Sequence, residues 1–253
     1  MSYDVQKASM LRRVPAWMLD MILLVVLATG FIAGMSYLLD IDSQIDKMDA
    51  VYRHYEQEYG VNFTISAEEY EKLTDQEREM YEQANIALSQ DTEAQATYEM
   101  LMNLTLITLS VSILGAFVIL EFVVPLLLKN GQTLGKKAFG VGLMRKDGIK
   151  ITPFMVFARS VLGKYTVETM IPVLMLVGMF FNGGGGLSLI LLGAFLLAQI
   201  IVPLATPNKT AIHDLMACTV TVDLASQMIF DSPEEQLEYY KRIHEENAAQ
   251  ADY

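Results

Sequence analysis

Six ionisable residues of this chain, Arg13, Asp20, Glu121, Arg159, His213 and Asp214, lie within or at the ends of long apolar runs. An ionised side chain inside a bilayer costs roughly 2.5–3.5 kcal/mol on insertion scales, so something must offset it. Asp20 falls inside Pro15 to Leu39, 25 residues with one formal charge, and Glu121 interrupts the run from Met102 to Leu128. Two carboxylates at one membrane depth can share a proton or hold a monovalent cation. Each can equally take a guanidinium or imidazolium partner and serve structure alone. Arg13 precedes Asp20 by seven residues, two helical turns, which places both on one face. Arg159 enters the third apolar run and His213-Asp214 follows the fourth, so the polar groups converge on one membrane face. His213 beside Asp214 suits a proton relay or an orienting hydrogen bond at a span end.

A second constellation is Gly131-Gln-Thr133-Leu-Gly135-Lys136-Lys137. It looks like a phosphate loop, but that loop needs four residues between its glycines and a Ser or Thr after the lysine. Here the spacing is three, Lys137 follows, and no parallel β-α unit surrounds it. A turn whose lysines meet anionic lipid headgroups is the better reading. No nucleophile elbow, zinc-ligand set or hydrolase carboxylate pair occurs, so neither an enzyme nor a cofactor, bound metal or nucleic-acid partner is expected.

The elements that must position these groups are membrane spans. The chain is 53% hydrophobic with mean hydropathy +0.32, and its apolar residues are clustered. About 20 residues cross a hydrocarbon core roughly 30 Å thick. Four runs qualify: Pro15–Leu39, Met102–Leu128, roughly Tyr165–Phe181, and Leu187–Ala205, with a four-glycine turn at Gly183–Gly186 between the last two. The first run is too long for a signal peptide, carries an acid and has no cleavage pattern behind it. Gly30-x-x-x-Gly34 permits close helix approach, read as packing within the chain with a dimer seam as the alternative. Cys218, the single cysteine, reads as a small buried apolar residue, with a lipidation site as the alternative.

Charge sets orientation. Residues 129–164 carry eight Lys or Arg against Asp147, whereas residues 40–99 carry 16 acids against four bases. The positive-inside rule therefore places the N-terminus and the 129–164 connection in the cytoplasm, the acidic segment outside, and the C-terminus back in the cytoplasm. That insert is read as helical from the spacing of Ile45, Met48, Tyr52, Tyr55 and Tyr59 and from capping boxes at Ser66-x-x-Glu69 and Thr74-x-x-Glu77. Ala138–Arg145 and Ile149–Thr152 around Asp147-Gly148 predict a β-hairpin, with Cys218–Val222 as its further partner. The tail after Asp223 reads as a solvated helix. The expected molecule is thus an all-α membrane protein: residues 1–39 with the first span, a helical extracytoplasmic insert over 40–100, the rest of the membrane core over 101–222 with a small cytoplasmic β element, and a charged tail over 223–253.

These segments resemble a known family. Arg13-x-x-Ala16-x-x-x-Asp20 resembles the opening of the RDD family of membrane proteins. Gly131-Gln-Thr133-Leu-Gly135-Lys136, followed by Gly140, Asp147-Gly148 and Arg159, resembles its G-x-T-x-G-K block, and Thr210-Ala-Ile-His213-Asp214-Leu-Met-Ala217-x-Thr219-Val220 its closing block. The long acidic insert, Cys218 in place of a glycine, and the tail depart from the family pattern. The resemblance implies the membrane core. It further implies one of two roles: an accessory or binding subunit of a membrane complex, or a cation/proton transporter of the sodium/proton exchange type. Because the sequence departs from the family in the acidic insert and the tail, a partner of the first kind is expected to dock on those segments, residues 40–100 above all. Four spans without an inverted repeat would require a homo-oligomer for the second.

Overall fold

The computed structural model describes residues 5–128, 130–181 and 186–251. Four helices are long and apolar enough to cross a membrane, and a small two-stranded antiparallel sheet accompanies them. The first is α1 (Met10–Leu38), which starts earlier than the apolar run because Pro15 is tolerated in its opening turns. The second, α5 (Thr92–Leu127), continues unbroken from the insert. The third, α7 (Pro153–Phe180), begins twelve residues before the apolar run, and so carries Arg159, Lys164 and Glu168 within its length. The fourth is α8 (Gly186–Ala205). The expected turn at Gly183–Gly186 lies outside the described residues, apart from Gly186 itself.

Two compact units divide the chain, one comprising residues up to Phe31 and from Ser112 onward, the other Ile32–Val111. In the second, α2 (Ile41–Tyr59), α3 (Ala67–Glu71) and α4 (Asp75–Gln90) enclose Tyr52, Phe63, Tyr70 and Tyr81, whose rings meet at 5.2–5.8 Å. Both capping boxes form: Ser66 and Thr74 accept from the backbone three residues on, and Glu69 and Glu77 reach back. Tyr55 donates to Asp91 at 2.9 Å.

In the first unit, Leu24 and Ala28 of α1 pack on Ala116 and Phe117 of α5. Gly115 keeps this approach open, since a Cβ there would lie 3.3 Å from the Phe31 ring. After α6 (Leu134–Ala138), strand β1 (Val141–Arg145) pairs with β2 (Thr219–Asp223), from Val141 opposite Asp223 to Arg145 opposite Thr219. The expected hairpin is corrected. Asp147-Gly148 does turn the chain, with Gly148 at φ 88° and the Arg145 amide donating to the Ile149 carbonyl at 2.8 Å. The returning segment ends at once, because Thr152 caps α7 and Pro153 has no N–H to give a ladder. The expected pairing with the Cys218–Val222 run does form, one residue further on: Thr219–Asp223 supplies the partner strand of β1.

The tail helix α10 (Pro233–Ala251) follows α9 (Ile212–Met216) and β2, and is less detached than the sequence suggests. Phe230 is buried against Tyr239 and Tyr240, and the Gln236 amide donates to the Asp147 carbonyl at 2.7 Å. Two further expectations fail. Cys218 is exposed, held by a left-handed φ of 53° at the turn between α9 and β2. Among the described residues, nothing lies within 4 Å of a Cβ added at Gly30 or Gly34, so their small size serves no packing within the chain.

Candidate functional site

The polar residues gather where the Gly131–Lys137 turn, the start of α7 and α9 meet the first span. Asp20 is buried, and both its oxygens are occupied by the glycine-rich turn. Thr133 Oγ1 donates to Oδ2, and the Gly135 amide donates to Oδ1 at 2.7 Å. Thr133 also accepts the Lys136 amide, capping α6. A Cβ on Gly135 would lie 2.1 Å from the Ala16 carbonyl and 2.8 Å from Asp20 Oδ1, so only glycine lets the turn sit on α1. Gly131 adopts φ +60°, and a Cβ there would strike Ile151 at 2.2 Å. The motif thus works as a socket for an aspartate.

Asp20 is therefore neither paired with arginine nor free. Arg13 lies on the same helix but reaches elsewhere, donating to the Lys209 carbonyl at 2.8 Å and to the Thr221 carbonyl. Arg12 holds Asp223 through one nitrogen at 2.9 Å to each oxygen. Together the two arginines tie the start of α1 to β2.

A second cluster binds α7 to α9. Arg159 Nε donates to Asp214 Oδ1 at 2.6 Å, which also accepts Thr219 Oγ1 at 2.9 Å, while Thr221 Oγ1 serves Oδ2 at 3.3 Å. Burial acts to raise the Asp214 pKa, but the Arg159 guanidinium outweighs it and holds the carboxyl below its ordinary range. Arg159 Nη2 stands 2.9 Å from His213 Nε2. A guanidinium can only donate, so Nε2 must accept, and the imidazole is neutral with its proton on Nδ1. That proton faces both Glu168 oxygens at 2.8 Å, and the His213 amide donates to Oε1 at 2.9 Å. Burial pushes the His213 pKa down, with Arg159 acting in the same direction, which agrees with this tautomer. Gly163 permits the contact, since a Cβ there would meet His213 Cβ at 2.6 Å.

The third cluster is Glu121, whose Oε1 pairs with Lys164 Nζ at 2.6 Å. Both members sit on wide helical turns, Val118–Val123 and Ala158–Met170, with i→i+5 bonding. Such turns hold roughly four and a half residues, and they recur at functional sites. In an α-helix, residues nine apart point about 180° away from each other. The wider turns instead bring Arg159 and Glu168 to one side, where both reach His213. Lys164 and Glu168 escaped the sequence reading for this reason. An acid three residues into the third apolar run was the available signal, by the same logic that singles out Asp20.

Among the described residues, three buried polar atoms at the site have no hydrogen-bond partner: Arg13 Nε, Glu121 Oε2 and Lys136 Nζ. Lys136 is 8% exposed, and burial, with the charges of Arg159 and Lys164, pushes its pKa down to about 7. Among the described residues no three His, Cys, Asp or Glu side chains are grouped as a metal-ligand set.

Residues 7–218 match the RDD family. The chain belongs to the RDD family. No curated protein and no solved structure matches it. The match ends at Cys218, so the strand β2 that closes the sheet and the tail helix of this RDD protein lie beyond it.

Proposed function

We propose that this RDD protein is an accessory subunit of a membrane complex, with both termini cytoplasmic and residues 40–100 presented outside to a partner. The observation that carries this reading is the fully occupied Asp20 carboxylate. A transport carboxylate must exchange its partner for the cargo, whereas here backbone and hydroxyl donors lock it in place. Glu168 and Asp214 are likewise engaged, by His213 and Arg159. The membrane core then acts as a rigid clip. The insert supplies the recognition surface: a cavity of about 590 Å³ lined by Tyr52, Arg53, Glu56, Phe63 and Tyr81, in the size range of specific ligand sites and rich in aromatic groups. The test is site-specific photo-crosslinking from position 53 in intact cells, with proteoliposome assays in parallel. One discrete heterologous adduct, lost with Tyr81→Ala, and no sodium- or pH-driven flux are expected. Robust flux that Asp20→Asn abolishes would overturn the reading.

A second reading, cation/proton exchange by a homo-oligomer, keeps one observation: Glu121 Oε2 has no hydrogen-bond partner among the described residues. It requires pH-driven sodium flux that Glu121→Gln eliminates while the protein remains folded.

A further inference from the structure

A cavity of about 450 Å³ is lined by α1, α8 and members of the polar clusters. Its basic lining is Arg13, Lys136, Arg159, Lys164 and Lys209. Three carboxylates also line it, those of Asp20, Glu168 and Asp214, and each is already engaged by the donors described above. The cavity therefore carries more positive than negative groups, and its acceptors are spent. Two buried donors are not. Among the described residues, Lys136 Nζ and Arg13 Nε have no hydrogen-bond partner. An unpaired ammonium buried to this degree is costly, and an anion is the species that relieves the cost. The walls say how that anion arrives. Trp17 on α1 and Ile200 and Leu204 on α8 line the cavity and are 58%, 61% and 66% exposed, on helices whose outer surfaces are apolar enough to face lipid tails.

We propose that this cavity binds the phosphate headgroup of an anionic membrane phospholipid, with Lys136 and Arg13 holding the phosphate and the α1 and α8 walls holding the acyl chains. The source is the bilayer rather than a soluble phosphate, because the apolar walls lie beside the charged floor and have no use for an inorganic ion. A bound phosphate also supplies the negative charge that keeps Lys136 protonated among Arg159 and Lys164, with Glu121 and Asp20 as the acids facing it.

The experiment uses the full chain, delipidated in neutral detergent, with melting followed on adding short-chain phosphatidylglycerol, phosphatidylcholine of the same chain length, or sodium phosphate at matched ionic strength. Phosphatidylglycerol alone is expected to raise Tm. Lys136→Met should require about tenfold more of it for the same shift, the loss of one charge-assisted contact. This variant removes an unpaired buried charge, so its lipid-free Tm should not fall. Leu204→Asp, at an exposed wall position, should weaken the response in the same way through repulsion. Equal shifts with phosphatidylcholine, or unchanged responses in both variants, would overturn the proposal. So would a shift reproduced by sodium phosphate, which assigns the cavity to a soluble anion. A lipid-independent dimer split by Leu204→Asp would seat a second copy there instead and also overturn it.

Discussion

Asp20 and Asp214 are both buried carboxylates, yet different chemistry satisfies them. Asp20 takes a hydroxyl and a backbone amide, and Asp214 takes a guanidinium and two hydroxyls. The second arrangement contains a full charge on each side, so removing one partner strands the other. Arg159→Ala should therefore destabilise by about 3–5 kcal/mol, while Arg159→Met combined with Asp214→Leu should cost much less than the sum of the single changes. Denaturant titration of the four proteins in detergent checks this. Lys136 yields a pH prediction. Its pKa is pushed down to about 7 from 10.5, so in the absence of an anionic ligand the unfolded chain binds more protons across that window. Stability should rise as pH climbs from about 7 to 10.5. The groups facing Lys136 are Arg159, Lys164, Glu121 and Asp20. Lys136→Met should remove this rise, measured as the difference between wild-type and variant Tm across the range.

At the scale of elements, the wide turns of α5 and α7 matter most. They place Glu121, Lys164, Arg159 and Glu168 toward the same interior, an arrangement that straight α-helices of this sequence would not give. Deleting Thr166 from α7 should restore tighter turns and rotate Glu168 away from His213. That deletion should lower Tm, and His213→Ala on top of it should cost little more, since the contact is already lost. Two glycines set how closely elements approach. Gly135→Ala drives a methyl into the Ala16 carbonyl, and Gly163→Ala drives one into the His213 backbone. Each strikes main chain rather than a flexible side-chain end. Losses of at least about 1–3 kcal/mol are expected, read as reduced Tm and reduced yield of monodisperse protein.

For the whole molecule, all members of the polar clusters belong to the unit built from residues up to Phe31 and from Ser112 onward, while the acidic insert belongs to the other. The clusters should then persist when residues 42–90 are replaced by a flexible Gly/Ser linker of about 12 residues, which spans roughly 17–21 Å. The Arg159–Asp214 coupling energy from the double-mutant cycle is expected to remain within about 0.5 kcal/mol of its value in the full chain. A collapse of that coupling would mean the insert is needed to build the core. On the accessory-subunit proposal, the same replacement should also abolish co-purification of the partner that crosslinking from position 53 of the full chain identifies, which links the two predictions.

The sequence alone determined what depends on local pattern. Runs of about 20 apolar residues can only become spans, Ser66 and Thr74 three residues before glutamates can cap helices, and Arg13, Asp20, Gly131–Lys136 and His213-Asp214 stood out as one family's residues. Tertiary structure decided the pairings. Which donor meets Asp20 depends on a turn 113 residues away in the chain, and spacing within α1 pointed to Arg13 instead. The pairing of Cys218–Val222 with β1 was legible, but that Ile149–Thr152 drops out of the ladder depended on Pro153 opening α7, which a hairpin pattern does not record. Glu168 stayed hidden because helical periodicity assumes 3.6 residues per turn, and α7 departs from that value across the very segment that holds its charges. Long-range neutralisation of buried charge is a property of packed elements, and no single segment carries it.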